Sequence, residues 1–215
     1  MCRFVCTPRH FASLLVACVE VVAVACGGSN PAAPKVDPSV LPSMDLMLAD
    51  KTLGSATAPN TVIEYSSFEC PYCKDFHDTW FPKLKSDYID PGKVRFIYRD
   101  SPLNTGFDLT ASMLARCAGD RFFEAVDALY ATQTSWKAVS GNETAALGNV
   151  MRNFGMSQAV IDACEASTTL KNGILQIQQD GRQRWQVQGV PTFIVNDTNV
   201  VVGNLGLAAL TIYFQ

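Results

Sequence analysis

Apolar and polar positions change their period several times along the chain. Thr61-Val62-Ile63-Glu64-Tyr65-Ser66 is β-rich and largely apolar, the pattern of a strand in the middle of a sheet. Directly after it, Tyr72, Phe76, Trp80, Leu84 and Tyr88 recur every four residues, which lays one apolar stripe along a helix over 74–88. Pro82 lacks a backbone donor and predicts a kink in that helix. The turn Asp90-Pro91-Gly92 introduces a second strand, Lys93-Val94-Arg95-Phe96-Ile97-Tyr98-Arg99. From about Leu109 to Trp185 the period is helical throughout. Leu109, Met113 and Cys117 share one face, and Phe122, Val126, Leu129 and Tyr130 another. Leu147, Val150, Met151 and Phe154 run to a capping Gly155, Ser157 caps a helix carrying Val160, Ile161 and Cys164, and Leu170, Ile174 and Ile177 open a last long helix. Strands then resume as Thr192-Phe193-Ile194-Val195 and Val200-Val201-Val202 around the turn Asn196-Asp197-Thr198-Asn199, and a short helix begins near Leu207. Residues 44–53 read as a short strand or arm. The order β, α, β, helical block, β, β, α predicts an α/β domain over 44–215 that holds a helical insertion at about 103–186.

The first 43 residues do not share that patterning. Arg3 and Arg9 precede an apolar run from Phe11 to Ala25, too short for an ordinary membrane span and suited to an export signal over 1–26. Ala23-Val24-Ala25-Cys26 resembles a bacterial lipoprotein signal, with Cys26 as the residue that takes the lipid. Ala23 stands where Leu is usual, and Glu20 interrupts the run. Leu15-Val16-Ala17-Cys18 fits the box better but leaves a very short apolar segment, so a plain cleaved signal and a start placed too far upstream both stay open. The Pro-, Ala- and Ser-rich stretch 27–43 has no apolar period and reads as a flexible linker. The expected location is the periplasm or cell envelope of a bacterium.

Composition narrows the function classes. A net charge of -3 over 215 residues gives no electrostatic footprint for nucleic acid. Of eight cysteines, four lie within the first 26 residues, and the other four are Cys70, Cys73, Cys117 and Cys164, an even set suited to an oxidising compartment.

The chemistry concentrates in Phe68-Glu69-Cys70-Pro71-Tyr72-Cys73, at the strand-to-helix turn. A thiolate, not a thiol, attacks a disulfide, and unsatisfied N–H groups at a helix start favour negative charge. Pro71 suits the first helical turn, where its missing donor costs nothing. Cys70 is therefore the expected nucleophile, its pKa drawn into the range of roughly 3.5–7.5 known for such sites. Cys73, further into the helix and more buried, is the expected resolving thiol. A Cys-x-x-Cys is also half of a zinc site, but no second pair stands at close spacing and the histidines are only His10 and His77. A purely structural local disulfide is the other bland reading. Neither metal nor cofactor is called for.

The run from Ile63 to His77, together with Gly189-Val190-Pro191-Thr192 far downstream, resembles the DsbA family of exported thiol–disulfide oxidoreductases over about 54–203. The resemblance implies a thioredoxin fold with an inserted α-helical subdomain. It implies Cys70 as nucleophile, Cys73 as partner, and Pro191 as a cis-proline beside the disulfide where a peptide strand pairs. Pro71, Tyr72, Val190 and Thr192 then contact substrate. Glu64 matches a buried acid that moves a proton for the resolving thiol, although a Glu in an apolar strand also occurs as an edge residue. His77 matches a position common after the motif and reads equally as helix surface. Tyr72 stands where the strongest oxidants of the family carry His, and Glu69 sets a negative charge beside Cys70 that raises its pKa, so a milder oxidant is expected.

Some relatives carry a disulfide within the insertion, which favours a Cys117–Cys164 bond over two buried free thiols. Such a bond stabilises by about 2–4 kcal/mol in general. The implied partners are reduced exported proteins as substrates and a membrane protein that reoxidises the pair, with the chain itself a monomer. Two other readings remain. One is an isomerase or reductase, against which stand Val190 before Pro191 and the short segment ahead of Gly54. The other is a non-catalytic thioredoxin-like lipoprotein that binds a partner.

Overall fold

The computed structural model describes residues 40–104 and 106–215. The signal, Cys26 and most of the linker lie outside them. Segment 44–53, expected as a strand or arm, is a short helix followed by a strand: α1 (Met44–Leu48), capped by the Ser43 hydroxyl, then β1 (Lys51–Leu53). Three apolar residues spaced to face the core, Met44, Met47 and Leu48, give α1 its seat. Then follow β2 (Asn60–Ser66), α2 (Pro71–Thr79), α3 (Phe81–Leu84), a π-turn segment (Lys85–Ile89) and β3 (Val94–Asp100). The helical block comprises α4 (Phe107–Cys117), α5 (Phe122–Ala131), α6 (Gln133–Lys137), α7 (Glu143–Asn153), α8 (Gln158–Glu165) and α9 (Thr168–Trp185). The chain closes with β4 (Thr192–Val195), β5 (Asn199–Val202) and α10 (Ala208–Thr211).

The sheet order is β1-β3-β2-β4-β5, with β2 parallel to β3 and the other pairs antiparallel. Asn196 and Asp197 turn β4 into β5 with φ of 51° and 56°, values that Asn and Asp tolerate and that match the twist of a tight hairpin. β2 is covered on both faces. Val62 belongs to the main core with Phe96, Tyr98 and Phe193, while Ile63 and Tyr65 pack with Ile97, Val187 and Ile194 under α9. Gly181 makes that second layer fit, because a Cβ there would lie 2.4 Å from the Tyr65 ring. Each large apolar side chain withdrawn in this way contributes about 1.5–3 kcal/mol.

The helix after the cysteine motif is not a single kinked rod. α2 ends at Thr79, Trp80 joins it to α3 with φ widened to -107° though still in the helical region, and Pro82 sits in the first turn of the new helix α3. A proline in a first turn lacks only a donor that has no partner there, so the break replaces the expected kink. The stripe also loses its first member: Tyr72 is 67% exposed, while Phe76 and Leu84 are buried.

Candidate active site

β2 delivers the chain to the site with Ser66, and the turn 67–69 leads to Cys70 at the N-cap of α2, with φ -72° and ψ 122°. As a thiol, Cys70 Sγ donates toward the Val190 carbonyl oxygen at 3.5 Å, and Val190-Pro191 is a cis peptide bond. Its pKa is lowered to about 6, first by the hydrogen bond from the Cys73 thiol and then by the backbone N–H groups of Cys73 and Tyr72; burial and the Asp108 carboxylate oppose the shift. Those N–H groups are the ones a helix start leaves without partners. Cys73 is fully buried, and its pKa is pushed well up, first by burial, then by its bond to Cys70 and by the Glu64 charge. One sulfur is therefore ionised at neutral pH and the other protonated.

Behind Cys73 lies a closed polar cluster. Glu64 is fully buried; its Oε1 accepts from the Ser66 hydroxyl at 2.8 Å, and its Oε2 lies 3.0 Å from His77 Nε2. Ser66 Oγ also meets the Tyr130 hydroxyl at 2.9 Å, and Tyr130 meets Tyr98 at 3.3 Å. Burial holds both phenols well above their usual pKa, so they act as neutral partners. The reading of Glu64 as an edge residue fails, since β2 has a neighbour on each side. His77 as helix surface fails too: it lies four residues past Cys73, on the inward face of α2, and stacks on Tyr130 with centroids 4.7 Å apart.

The motif's backbone is held from the helical insertion. The Tyr130 hydroxyl donates to the Ser67 carbonyl at 3.2 Å, Gln133 Nε2 donates to Phe68 at 2.7 Å and to Cys70 at 3.0 Å, and Lys137 Nζ donates to Glu69 at 2.7 Å. Four successive carbonyls are thus tied by side chains at 130, 133 and 137, spaced along one face of α5 and α6. None of the three was singled out from the sequence for this task. A trace was present: Gln133 falls where the spacing of Val126, Leu129 and Tyr130 calls for an apolar residue.

Asp108, at the start of α4, closes the other side. It accepts from the Glu69 N–H at 3.0 Å, the Ser67 hydroxyl at 2.8 Å and the Leu103 N–H at 2.6 Å, and burial raises its pKa to about 6. The acid that opposes the Cys70 thiolate is therefore Asp108. The Glu69 carboxylate, expected to be that acid, is engaged by the Asn104 amide.

The remaining predicted residues fall as follows. Pro71 opens α2, Val190 packs partly buried against the core, and Thr192 is fully buried with its hydroxyl on the Gly189 carbonyl at 2.7 Å. Cys117 and Cys164 are joined by a disulfide between α4 and α8, apart from the motif in sequence and in environment. Among the described residues there is no cluster of metal-ligating side chains and no helix long and apolar enough to cross a membrane.

Comparison with known proteins agrees with this architecture. Residues 48–210 match the family model described as thioredoxin. A putative protein-disulfide oxidoreductase of Rickettsia bellii is 31% identical over 149 residues, covering 68% of this chain and 57% of the relative. Disulfide bond formation protein D of Bacillus subtilis is 27% identical over 159 residues, covering 67% of each chain. The crystal structure of Wolbachia pipientis alpha-DsbA1 superposes with a TM-score of 0.69 at 26% identity, over 80% of this chain and 90% of that one. The chain spans somewhat over half the length of the Rickettsia relatives it matches. With its family model, relatives and folded counterparts in accord, the chain belongs to the thioredoxin family, in its DsbA-like group.

Proposed function

We propose that this protein oxidises cysteine pairs of exported proteins by giving up a Cys70–Cys73 disulfide, and that a membrane-borne partner reoxidises it. A client thiolate attacks Cys70 Sγ; the Cys70–Cys73 bond breaks and its electron pair goes to Cys73, which takes up a proton. The client's second thiolate then attacks the client sulfur of the mixed disulfide and expels Cys70 as a thiolate. Two electrons pass from client to enzyme, one client proton ends on Cys73, and the other goes to solvent. The observation that carries this reading is the opposed pair of pKa shifts, Cys70 down to about 6 and Cys73 well up. The low value makes Cys70 the better leaving group when the client's second thiolate resolves the mixed disulfide, and the complete burial of Cys73 leaves Cys70 as the sulfur a client meets.

In this reading the Val190–Pro191 loop, Pro71 and Tyr72 border the incoming peptide, while Thr192, expected to contact it, is fully buried and instead braces the loop through Gly189. Glu64 serves the proton demand of Cys73, and the Cys117–Cys164 bond is structural. Export follows from residues 1–26, with Cys26 lipidated or the signal simply removed; mass spectrometry of the mature N-terminus distinguishes the two. The decisive assay uses Cys73→Ser with a reduced two-cysteine peptide. A mixed disulfide through Cys70 is expected to accumulate, and a chain that forms no adduct overturns the proposal.

A further inference from the structure

Beside the buried cluster is a cleft of about 410 Å³ between α2, α3 and α5, lined by His77, Asp78, Phe81, Lys85, Asp127 and Tyr130. Neither Cys70 nor Cys73 lines it, and His77 links it to Glu64. His77 is the one residue common to the cleft and the cluster's inner carboxylate: its side chain is 2% exposed, Nε2 is engaged with Glu64 at 3.0 Å, and Nδ1 is buried with no protein partner. The ring cannot turn freely, being sandwiched by Tyr130 at 4.7 Å and Phe81 at 4.8 Å. The charged groups of the cleft are already engaged, except one. Asp78 pairs with Lys74 at 2.6 Å and Lys85 with Asp90 at 2.6 Å, whereas Asp127 has no ion pair among the described residues and its carboxyl is pushed up by burial and pulled down by His77. The groups facing the imidazole are thus Glu64 from β2, Tyr98 from β3 and Tyr130 and Asp127 from α5, with Asp78 of its own helix and Lys85 in the cleft beside it.

We infer that His77 is a proton relay that connects Glu64, and through it Cys73, to solvent in the cleft bounded by Asp127. The inference rests on the exchange chemistry proposed above, and gives the buried thiol a route to water that stays open when a bound client covers Cys70. When the Cys70–Cys73 bond breaks, His77 Nε2 gives its proton to the Glu64 carboxylate, which hands it to Cys73 by way of the Ser66 hydroxyl and is left as it began. Nδ1 takes up a proton from solvent in the cleft, so that the imidazole ends in its other tautomer. Reoxidation runs the same transfers backwards, and no net charge accumulates in the core. His77 touches neither client nor sulfur and acts through Glu64.

The test measures the rate at which the oxidised full chain oxidises a reduced two-cysteine peptide between pH 5 and 9. His77→Ala is expected to slow this step about 10²-fold, the lower end of general acid–base contributions. Added imidazole, which fits the cleft, restores the rate, while alkylation of Cys70 in the reduced protein keeps its midpoint. His77→Phe keeps the packing without a nitrogen, and is expected to be equally slow and not rescued. A His77→Phe rate equal to wild type, or a folded His77→Ala that imidazole does not accelerate, overturns the relay. Should both variants fail to fold, the wild-type chain decides: slowing in D2O with more than one proton in flight is expected, and a rate indifferent to D2O overturns it. If wild type leaves the peptide reduced, the exchange reading itself falls; if wild type exchanges and His77→Phe matches it, only the relay does.

Discussion

The molecule holds two cysteine pairs in opposite chemical settings. Cys70 and Cys73 are three residues apart at a helix start, where Cys70 has backbone N–H groups to stabilise a thiolate. Cys117 and Cys164 are 47 apart in sequence and join two helices; one sulfur lies 3.5 Å from the Met47 thioether and the other 3.1 Å from the Met113 carbonyl oxygen. Nothing in that second setting favours a negative sulfur, and both residues are buried. What a cysteine pair does follows from the charge its surroundings can support. The first setting favours exchange, the second permanence.

The sharpest way to break the contrast is to remove each pair in turn. Cys70→Ser is expected to reduce peptide oxidation to the uncatalysed background with the fold intact. Cys117→Ala with Cys164→Ala is expected to keep exchange and lose about 4 kcal/mol in urea unfolding, the loop-closure value for a 47-residue separation. Exchange lost with the second pair would erase the distinction. Next in size is Gln133→Leu, which leaves the Phe68 and Cys70 carbonyls without their buried donor. A loss of about 1–3 kcal/mol is expected for such unsatisfied groups, together with slower peptide oxidation.

The smallest effect concerns charge. Iodoacetamide labelling of Cys70 should rise through about pH 6 and level off, while Cys73 stays unlabelled at neutral pH. The depressed pKa stabilises the reduced fold relative to Cys70→Ser fully above pH 9, the ordinary thiol value here, and that gain disappears as pH falls through about 6. Glu69→Gln should leave the labelling midpoint in place, because its carboxylate faces Asn104. A midpoint that follows the Glu69 charge would restore the expectation drawn from sequence.

The legible parts of the site were those that local spacing encodes. The cysteine motif, the strand before it and the strand pair after Pro191 all have short-range patterns; the order of elements predicted an α/β domain with a helical insertion and the family resemblance implied the thioredoxin fold, as found. His77 was half legible: four residues after a buried Cys73 puts it on the inward face, but its hydrophilic character suggested a surface position. Asp108, Tyr130 and Lys137 were not legible, because each acts across 39 to 68 positions of sequence on a carbonyl, an N–H or a hydroxyl that one sequence does not locate. Segment 44–48 was misjudged for a related reason. A helix of five residues has no period to show, and it is held from a distance: Arg116 donates to the Met47 carbonyl at 2.6 Å.

The four motif carbonyls tied to Tyr130, Gln133 and Lys137 have a consequence for transplantation. A hexapeptide carrying Cys70 and Cys73, moved into another scaffold, takes its sulfurs with it but leaves behind the side chains that aim its main chain. The heritable unit of redox behaviour here is larger than the motif: it is the hexapeptide together with the stretch from α5 to α6, and grafts that exchange both should carry the thiolate's properties across where grafts of either alone should not.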